Sequence, residues 1–305
     1  MCGRGDQSSG KEKNMKAAVI GPGAMGCLFS ARLALSGIQT TLVDYKSDRV
    51  SRLLQSGIKL ETREGVEVAK PHVALRVPEG QDVVVVLTKA YTTGSLRLPH
   101  NTVVLTLQNG LNNVETLCSL VGSACVLAGT TCEAAMLVGE GHVRHVAAGT
   151  TTVGSWTSCS PKMAADILTK AGFEVEVTEA PGQRLWEKVA INSGINPLTA
   201  LLNVPNGRLL ELVEVRQLMR DLVVEAAKIA ATEGYRFEYS LVERTEDICR
   251  DTAANVSSML QDIRAGRKTE IDAISGEIIR RAELASLPTP RTRVVWQLVK
   301  GLESR

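Results

Sequence analysis

The chain has 305 residues, which is enough for one large domain or two domains of ordinary size. Its net charge of +2 and its aromatic content of 3% argue against a nucleic acid or an anionic membrane as partner, because such partners are held by basic patches and by stacking. The longest apolar runs, such as residues 83–87, are too short to span a bilayer.

Residues 1–14 are polar, rich in glycine and serine, and without the apolar run of a signal peptide. We predict a flexible tail there; a mitochondrial or plastid address is a weaker alternative, because the segment contains acidic residues. The seven cysteines form neither a C-x-x-C pair nor a Cys/His cluster at metal-ligand spacing. This pattern favours reduced thiols, a cytoplasmic protein and no metal site.

Short β-branched runs alternate with helical segments from residue 15 to about residue 173. Strands are predicted at residues 16–20, 40–43, 82–88 and 102–107, and a helix at 24–36. The last two runs are apolar throughout, which is typical of parallel strands buried on both faces. The alternation predicts a doubly wound α/β domain over residues 15–180.

A glycine loop, VIGPGAMG at residues 19–26, follows the first predicted strand and opens the first predicted helix. In that context G-x-G-x-x-G indicates a dinucleotide site of the Rossmann type. Gly21 permits a tight turn, Gly23 lets the backbone approach a pyrophosphate, and Gly26 lets the helix pack against the strand. The predicted cofactor-binding residues of the loop are Gly21, Gly23, Ala24, Met25 and Gly26.

Asp44 ends the second predicted strand, where an acid normally accepts hydrogen bonds from the adenosine ribose of the cofactor. A carboxylate there slightly favours NADH, because the 2′-phosphate of NADPH would lie against it. Lys46 and Arg49 are close in sequence and offer that phosphate a partner, which keeps NADPH open. The alternative for Asp44 is an exposed acid in a turn.

Beyond residues 181–184 the pattern changes to helical period. Helices are predicted at residues 182–203, 208–233, 240–265, 269–286 and 292–302, so residues 181–305 form a predicted all-α domain. Such a domain can supply a homodimer interface, although no heptad seam identifies one.

The first of these helices, LWEKVAINSGINPLTA at residues 185–200, carries Lys188, Asn192 and Asn196 in one narrow polar stripe. All four histidines lie before residue 181, so a proton donor from the helical half would be a lysine, a tyrosine or an acid. Burial would lower the pKa of Lys188 and improve it as a general acid. The alternative is a lysine that extends along the helix edge into solvent, with the asparagines capping backbone near Pro197, which we expect to break the helix.

Two later segments add polar groups. Asn255 and Ser258 are three residues apart and are expected on one helix face. Thr269 resembles a helix cap with Asp272 as its reciprocal acid. Taken alone, Glu270 is an acid favoured by the helix dipole.

These motifs together resemble the ketopantoate reductase (2-dehydropantoate 2-reductase) family. The resemblance covers nearly the whole chain from Met15 and is carried by GPGAMG, LTKAY, LQNG, LWEKVAINSGINPLTALLNVPNG, NVSSMLQDIRAGRKTEID and ISGEIIRRA. It implies a Rossmann-type domain followed by an all-α domain like the C-terminal domain of 6-phosphogluconate dehydrogenase. It also implies reduction of 2-dehydropantoate to pantoate by NADPH or NADH, in pantothenate and coenzyme A biosynthesis.

The resemblance further assigns roles. Lys188 would be the general acid, and Glu270 would orient the substrate hydroxyl and the lysine. Many family members use NADPH and carry a basic residue where Asp44 stands, which places the coenzyme preference in question. The remaining implied contacts are Asn192, Asn196, Asn206, Asn255 and Ser258 with the substrate, and Lys89 and Asn109 with the cofactor. A reductase of another 2-keto acid or cyclic imine, and a non-catalytic dinucleotide sensor, remain as alternatives.

Overall fold

The computed structural model describes residues 15–122 and 125–304. The tail predicted at residues 1–14, with its alternative as a targeting address, lies outside the described residues. Within them, no helix has the length and apolar character that a membrane span requires.

The first half of the chain follows the predicted strand–helix alternation. Its elements are β1 (Lys16–Ile20), α1 (Ala24–Leu35), β2 (Gln39–Val43), α2 (Ser47–Ser56), β3 (Ile58–Thr62), β4 (Gly65–Ala69), β5 (His72–Ala74), β6 (Val83–Val86), a 3-10 helix (Ala90–Ser95), β7 (Val104–Thr106), α3 (Asn113–Val121), β8 (Val126–Thr131), β9 (Ala134–Gly139), β10 (His142–Ala147), β11 (Thr151–Ser155), α4 (Lys162–Lys170) and β12 (Val175–Thr178). The predicted strands are confirmed as β1, β2, β6 and β7, the last two being shorter than expected.

The large sheet has eight strands in the order β12-β11-β8-β7-β6-β1-β2-β5. Neighbouring strands are parallel except β8 and β11, which are antiparallel. The predicted doubly wound fold is therefore confirmed. The chain runs outward from β1 through β2 to β5 and then returns to the other side of β1 with β6, so the strand order reverses beside β1.

A second, four-stranded sheet in the order β4-β3-β10-β9 was not expected from the sequence. Its inner residues Leu60 and Val143 are buried in the same core as Phe29 of α1. The strands escape prediction because much of their surface is exposed: in β4 only Ala69 is buried, so no clear alternation of apolar and polar residues marks it.

The second half is helical, as predicted. It contains α5 (Pro181–Leu202), α6 (Arg208–Glu211), α7 (Val213–Thr232), α8 (Leu241–Asp251), α9 (Ser258–Arg264), a π-helical turn (Asp272–Gly276), α10 (Glu277–Leu284) and α11 (Pro290–Glu303). α5 begins directly after residue 180, where we placed the domain boundary; the boundary itself stays a prediction.

The helix predicted at 240–265 is two helices, and this corrects the placement of two site residues. Ser257 starts α9 by accepting a hydrogen bond from the backbone N–H of Leu260. Asn255 lies in the preceding turn, where its N–H donates to the carbonyl of Thr252. Asn255 and Ser258 therefore do not share one helix face. The helix predicted at 208–233 is likewise divided, at Leu212, into α6 and α7.

One further local expectation is wrong, and another is wrong in part. α5 continues through Pro197, because this part of the helix is buried on nearly every side and packing holds it. The hydroxyl of Thr269 does accept from the N–H of Ile271, as a helix cap would, but Asp272 is not its reciprocal acid: the N–H of Thr269 donates to Glu303, and the carboxylate of Asp272 accepts from Trp296 and Lys300.

One hydrophobic core joins the two halves. Ile20 and Val86 of the sheet belong to the same buried cluster as Trp186 and Val189 of α5. The opposite face of the sheet packs on α1 and α4. α5 is thus fixed against the sheet, and this is the helix that carries the lysine–asparagine stripe.

Helices α7 and α8 are joined by a buried carboxylate. Glu246 is 4% exposed and accepts hydrogen bonds from Arg216 at 2.5 and 2.8 Å and from Arg220 at 2.6 Å. Hydrogen bonds from Arg216 and then Arg220 lower the pKa of Glu246 to about 2. Because the pKa is lowered in the folded state, the ionised carboxylate stabilises the fold above the unfolded value of about 4.3, and this stabilisation is lost as pH falls toward 2.

We therefore expect Glu246→Gln to reduce the free energy of unfolding at pH 7 by about 2–3 kcal/mol, the scale of hydrogen bonds to charged groups. Urea denaturation at pH 7 and pH 3 measures the effect, and the difference from the unmodified protein should shrink at pH 3. Glu243→Gln is the control, because Glu243 is an exposed acid on the same helix. Equal losses for the two variants would contradict the assignment.

Candidate active site

The predicted cofactor residues follow strands that end at one edge of the large sheet. β1, β2, β6 and β7 run parallel, so their carboxyl ends lie side by side. The residues that follow these ends are Gly21, Asp44, Lys89 and Asn109. In doubly wound sheets ligands bind outside the carboxyl ends of the strands, at the point where strand order reverses.

The glycine loop fits a dinucleotide. Gly21 has φ +106°, and its N–H donates to the carbonyl of Val43, which fixes the turn between β1 and α1. A Cβ on Gly26 would lie 1.7 Å from the Gly21 carbonyl oxygen, whereas a Cβ on Gly23 would have no heavy atom within 4 Å. No side chain at Gly23 caps α1, so its first backbone amides are available to an anion. Ala24 and Met25 lie in this first turn, partly buried against the core.

Asp44 is 2% exposed, which excludes the alternative of an exposed turn acid. Its N–H donates to the carbonyl of Ala74, and both oxygens of its carboxylate accept hydrogen bonds from the guanidinium of Arg49, one of them at 2.6 Å. The backbone N–H of Lys46 donates to the same carboxylate at 3.3 Å. The acid is thus paired in a fork geometry with a cation five residues away.

Lys188 reaches the same edge of the sheet from α5. Its Nζ donates a hydrogen bond of 2.9 Å to the backbone carbonyl of Thr131, the last residue of β8. Burial lowers the pKa of Lys188, and the nearby Cys132 and Glu270 oppose this effect only in part. The ammonium therefore does not extend into solvent, and the alternative of a lysine at the helix edge is excluded.

The stripe continues along α5 with two free amides. Asn192 is partly buried and Asn196 is 6% exposed. Within the described residues, neither side-chain amide hydrogen-bonds to another protein group. Both amides therefore keep their donors and acceptors for a ligand.

Asn206 and Asn255 are brought together by the backbone. The N–H of Asn206 donates to the carbonyl of Asn255 at 3.0 Å. The side-chain amide of Asn206 donates to the hydroxyl of Thr252, while its Oδ1 is buried without a hydrogen-bond partner. An unpaired buried acceptor of this kind is a position at which a ligand donor would be favoured. Ser258, the first residue of α9, is exposed.

Glu270, from the helical half, accepts hydrogen bonds from three residues of the first half. Its Oε1 accepts from the N–H of Ala90 at 3.0 Å, and its Oε2 accepts from Asn109 at 3.2 Å and from Lys89 at 3.4 Å. The carboxylate is 7% exposed. The two residues predicted to contact the cofactor, Lys89 and Asn109, thus contact the predicted substrate-orienting acid; their contact with the cofactor stays a prediction.

The sequence did not identify Asp262 as a site residue. It is 3% exposed and accepts a hydrogen bond of 2.6 Å from Lys89 and one of 3.0 Å from Arg267. Burial acts to lower the pKa of Lys89, but the carboxylates of Glu270 and Asp262 outweigh it, so that pKa is raised. Asp262 is a single acid in a short helix, and nothing in the sequence pattern indicated that it would contact Lys89, which is 173 residues away.

Comparison with known families agrees with this geometry. Residues 17–158 match the family described as Ketopantoate reductase PanE/ApbA, and residues 182–303 match Ketopantoate reductase PanE/ApbA C terminal. Together these two matches cover nearly the whole described chain.

Individual relatives are similar over their full length. The 2-dehydropantoate 2-reductase of Halobacterium salinarum is 35% identical, with 94% of this chain and 98% of the relative covered. That of Pyrococcus abyssi is 31% identical, with 95% and 98% covered. A crystal structure of a PanE/ApbA family ketopantoate reductase from Ralstonia eutropha has a TM-score of 0.87 and 31% identity, with 95% of this chain and 99% of that chain covered. D-Mandelate dehydrogenase with NADH and anilino(oxo)acetate also has a TM-score of 0.87, at 26% identity, with the same shares covered.

The open space at Gly23 gives a test of the dinucleotide site. We expect Gly23→Ala to fold normally, because the new methyl group meets no atom within 4 Å and the backbone is in an extended conformation. Binding of NADH and NADPH should weaken by at least about tenfold, because the methyl group would fill the space of the pyrophosphate. Thermal unfolding and fluorescence titration measure the two effects.

Gly26→Ala is the contrasting variant, since its Cβ would collide with the Gly21 carbonyl within the protein itself. It should lose stability as well as binding. Unchanged dinucleotide affinity in Gly23→Ala would mean that the pyrophosphate does not lie over this loop.

Proposed function

The chain belongs to the ketopantoate reductase family, and from this premise we propose that it reduces 2-dehydropantoate to pantoate with a reduced nicotinamide dinucleotide. The observation that carries the proposal is the Lys188 ammonium, which lies at the carboxyl edge of the sheet with its pKa lowered by burial. We place the reaction in the cytoplasm, because the described cysteines are all free thiols.

The bound dinucleotide supplies a hydride to the C2 carbonyl of the keto acid. Lys188 donates a proton to the carbonyl oxygen, on which negative charge develops. One of its three N–H groups is taken by the Thr131 carbonyl, which leaves donors for the substrate oxygen and sets their direction. A pKa lowered by burial makes the ammonium a better acid near neutral pH than an exposed lysine.

The substrate differs from simpler keto acids by its 4-hydroxyl group, and the site offers acceptors for a hydroxyl. Glu270 is held in place by the N–H of Ala90 and the amide of Asn109, so its carboxylate can accept from the substrate hydroxyl in a fixed direction. The unpaired Oδ1 of Asn206 is a second acceptor. The amides of Asn192, Asn196 and Asn255 and the hydroxyl of Ser258 supply donors for the substrate carboxylate.

Coenzyme preference depends on Asp44. We propose that NADH is preferred, because the ribose hydroxyls of NADH can donate to the buried Asp44 carboxylate. The 2′-phosphate of NADPH would be repelled by the same group. Arg49 moderates this preference, since it is paired with Asp44 and its guanidinium could also bind a phosphate.

We expect Asp44→Ala to raise the ratio of kcat/KM with NADPH to kcat/KM with NADH by at least about tenfold, because a like-charge contact is removed and Arg49 is released. Arg49→Gln should lower that ratio. Arg52→Gln is the control, because Arg52 is an arginine of the same helix α2 that pairs with Glu140 and Asp48 and not with Asp44. A wild-type preference for NADPH that survives Arg49→Gln would contradict the proposal.

We expect Lys188→Met to lower kcat for 2-dehydropantoate by at least about 100-fold, the scale of a lost general acid. In the wild type, kcat/KM should fall at alkaline pH as Lys188 loses its proton. The midpoint should lie below the ordinary lysine pKa of about 10.4, because burial lowers the pKa of Lys188. Oxidation of NADH followed at 340 nm, roughly its absorption maximum, measures both effects.

Lys228→Met is the matched control, because Lys228 is an exposed lysine on α7. Normal turnover by Lys188→Met would contradict the assignment of Lys188 as the general acid.

Turnover of 2-dehydropantoate is compared with turnover of pyruvate, an aromatic 2-keto acid and a cyclic imine. Faster turnover of one of these three would favour a reductase of another substrate. Dinucleotide binding without turnover of any of them would favour a sensor.

A further inference from the structure

A buried acid–histidine pair lies beside the carbonyl that holds Lys188. Glu133 is two residues after Thr131, and its Oε2 is 2.5 Å from Nε2 of His145 on β10. The two side chains are 2% and 9% exposed. Neither residue takes part in the reaction described above, and no pattern in the sequence indicated that they would meet.

Arg32 of α1 fixes the ring of His145 from the other side. Its Nη2 lies 3.3 Å from Nδ1 of His145, and its Nη1 donates to the carbonyl of Gly172 at 2.9 Å. A guanidinium can only donate, so Nδ1 accepts, and the ring N–H is on Nε2, where it donates to Glu133. The Arg32 guanidinium also lies over the ring of Phe173, which holds it in place.

The segment that carries the Thr131 carbonyl is tied at several points. The N–H of Glu133 donates to the hydroxyl of Thr131 at 3.2 Å, and this hydroxyl is 2.8 Å from the hydroxyl of Thr151. The N–H of Cys132 donates to the carbonyl of Thr150 at 3.0 Å. Beyond Cys132 the chain is held by the Glu133 side chain, and Glu133 is held by His145.

We propose that Glu133 and His145, supported by Arg32, are positioning residues that fix the Thr131 carbonyl and thereby aim the Lys188 ammonium. The inference rests on the proposed role of Lys188 as general acid. It links the helix at the dinucleotide loop to the proton donor through contacts among Arg32, His145 and Glu133. A displacement of the turn at Cys132 would move the acceptor of Lys188 while leaving the dinucleotide loop in place.

The test compares two histidines of the same strand. His142 of β10 pairs with Glu61 at 3.2 Å in a more exposed position, and Glu61 is on β3, away from the turn at Cys132. We expect His145→Ala to lower kcat by at least about tenfold, with KM for the dinucleotide within about twofold, because misdirection of an acid affects the chemical step. His142→Ala should leave both constants unchanged.

A conservative variant of His145 distinguishes a positioning role from a role in packing alone. His145→Gln should recover kcat to within about threefold of wild type, since its amide can accept from Arg32 and donate to Glu133. Thermal unfolding of each variant shows that the assays compare folded proteins. A normal kcat in His145→Ala with only a lower Tm, or no recovery in His145→Gln, would overturn the proposal.

A measurement that needs no enzymatic turnover tests this inference independently of the proposed function. NMR of protein labelled with 15N-lysine gives the titration midpoint of Lys188, which is assigned by its loss in Lys188→Met. In His145→Ala we expect the midpoint to fall by about half a pH unit, because the Thr131 carbonyl favours the charged form. If the wild type does not reduce 2-dehydropantoate yet this shift appears, the substrate is wrong and the positioning stands. An unchanged midpoint, or an equal shift in His142→Ala, overturns the positioning itself.

Discussion

The site depends on one contact, the hydrogen bond from the Lys188 ammonium to the Thr131 carbonyl. A buried ammonium is costly unless polar groups surround it, and here one backbone oxygen provides the fixed partner. The contact joins α5 to the end of β8, so the proposed general acid of the helical half is positioned by the sheet of the other half. The position of the Lys188 ammonium is therefore fixed by the packing of α5 against the sheet.

Lys89 and Lys188 have opposite pKa shifts, which agrees with the different roles proposed for them. Lys89 is surrounded by the carboxylates of Asp262 and Glu270, which raise its pKa and keep it a permanent cation. Lys188 has no carboxylate within ion-pair distance among the described residues, so burial prevails and its pKa falls. A group that must release a proton belongs in the second environment, and a group that holds two acids in place belongs in the first.

The parts of this site that the sequence predicted are those with a local pattern. The glycine loop and the stripe of Lys188 on α5 follow from the strand–turn–helix order and from helical period. The missing parts are contacts between distant segments: Thr131 is 57 residues before its lysine, and Asp262 is 173 residues after Lys89. A backbone carbonyl has no sequence signal at all, and the exposed second sheet lacks the alternation that would have predicted β10 and brought His145 near Glu133.

Because the acceptor of Lys188 is a backbone oxygen, substitution at Thr131 cannot remove it. The direction of the ammonium changes only if the segment itself moves, and the segment is held by its pairing with β11, by the backbone hydrogen bond from Cys132 to Thr150 and by the side chains behind it. Glu133 and His145, which do not hydrogen-bond to the lysine themselves, thus contribute to the direction of the ammonium together with the backbone contacts of the segment. The side chains of Glu133 and His145 are 2% and 9% exposed, whereas those of Glu61 and His142 are 28% and 25% exposed. The more buried pair is the one beside Lys188, as expected if it supports the proposed general acid as well as the fold.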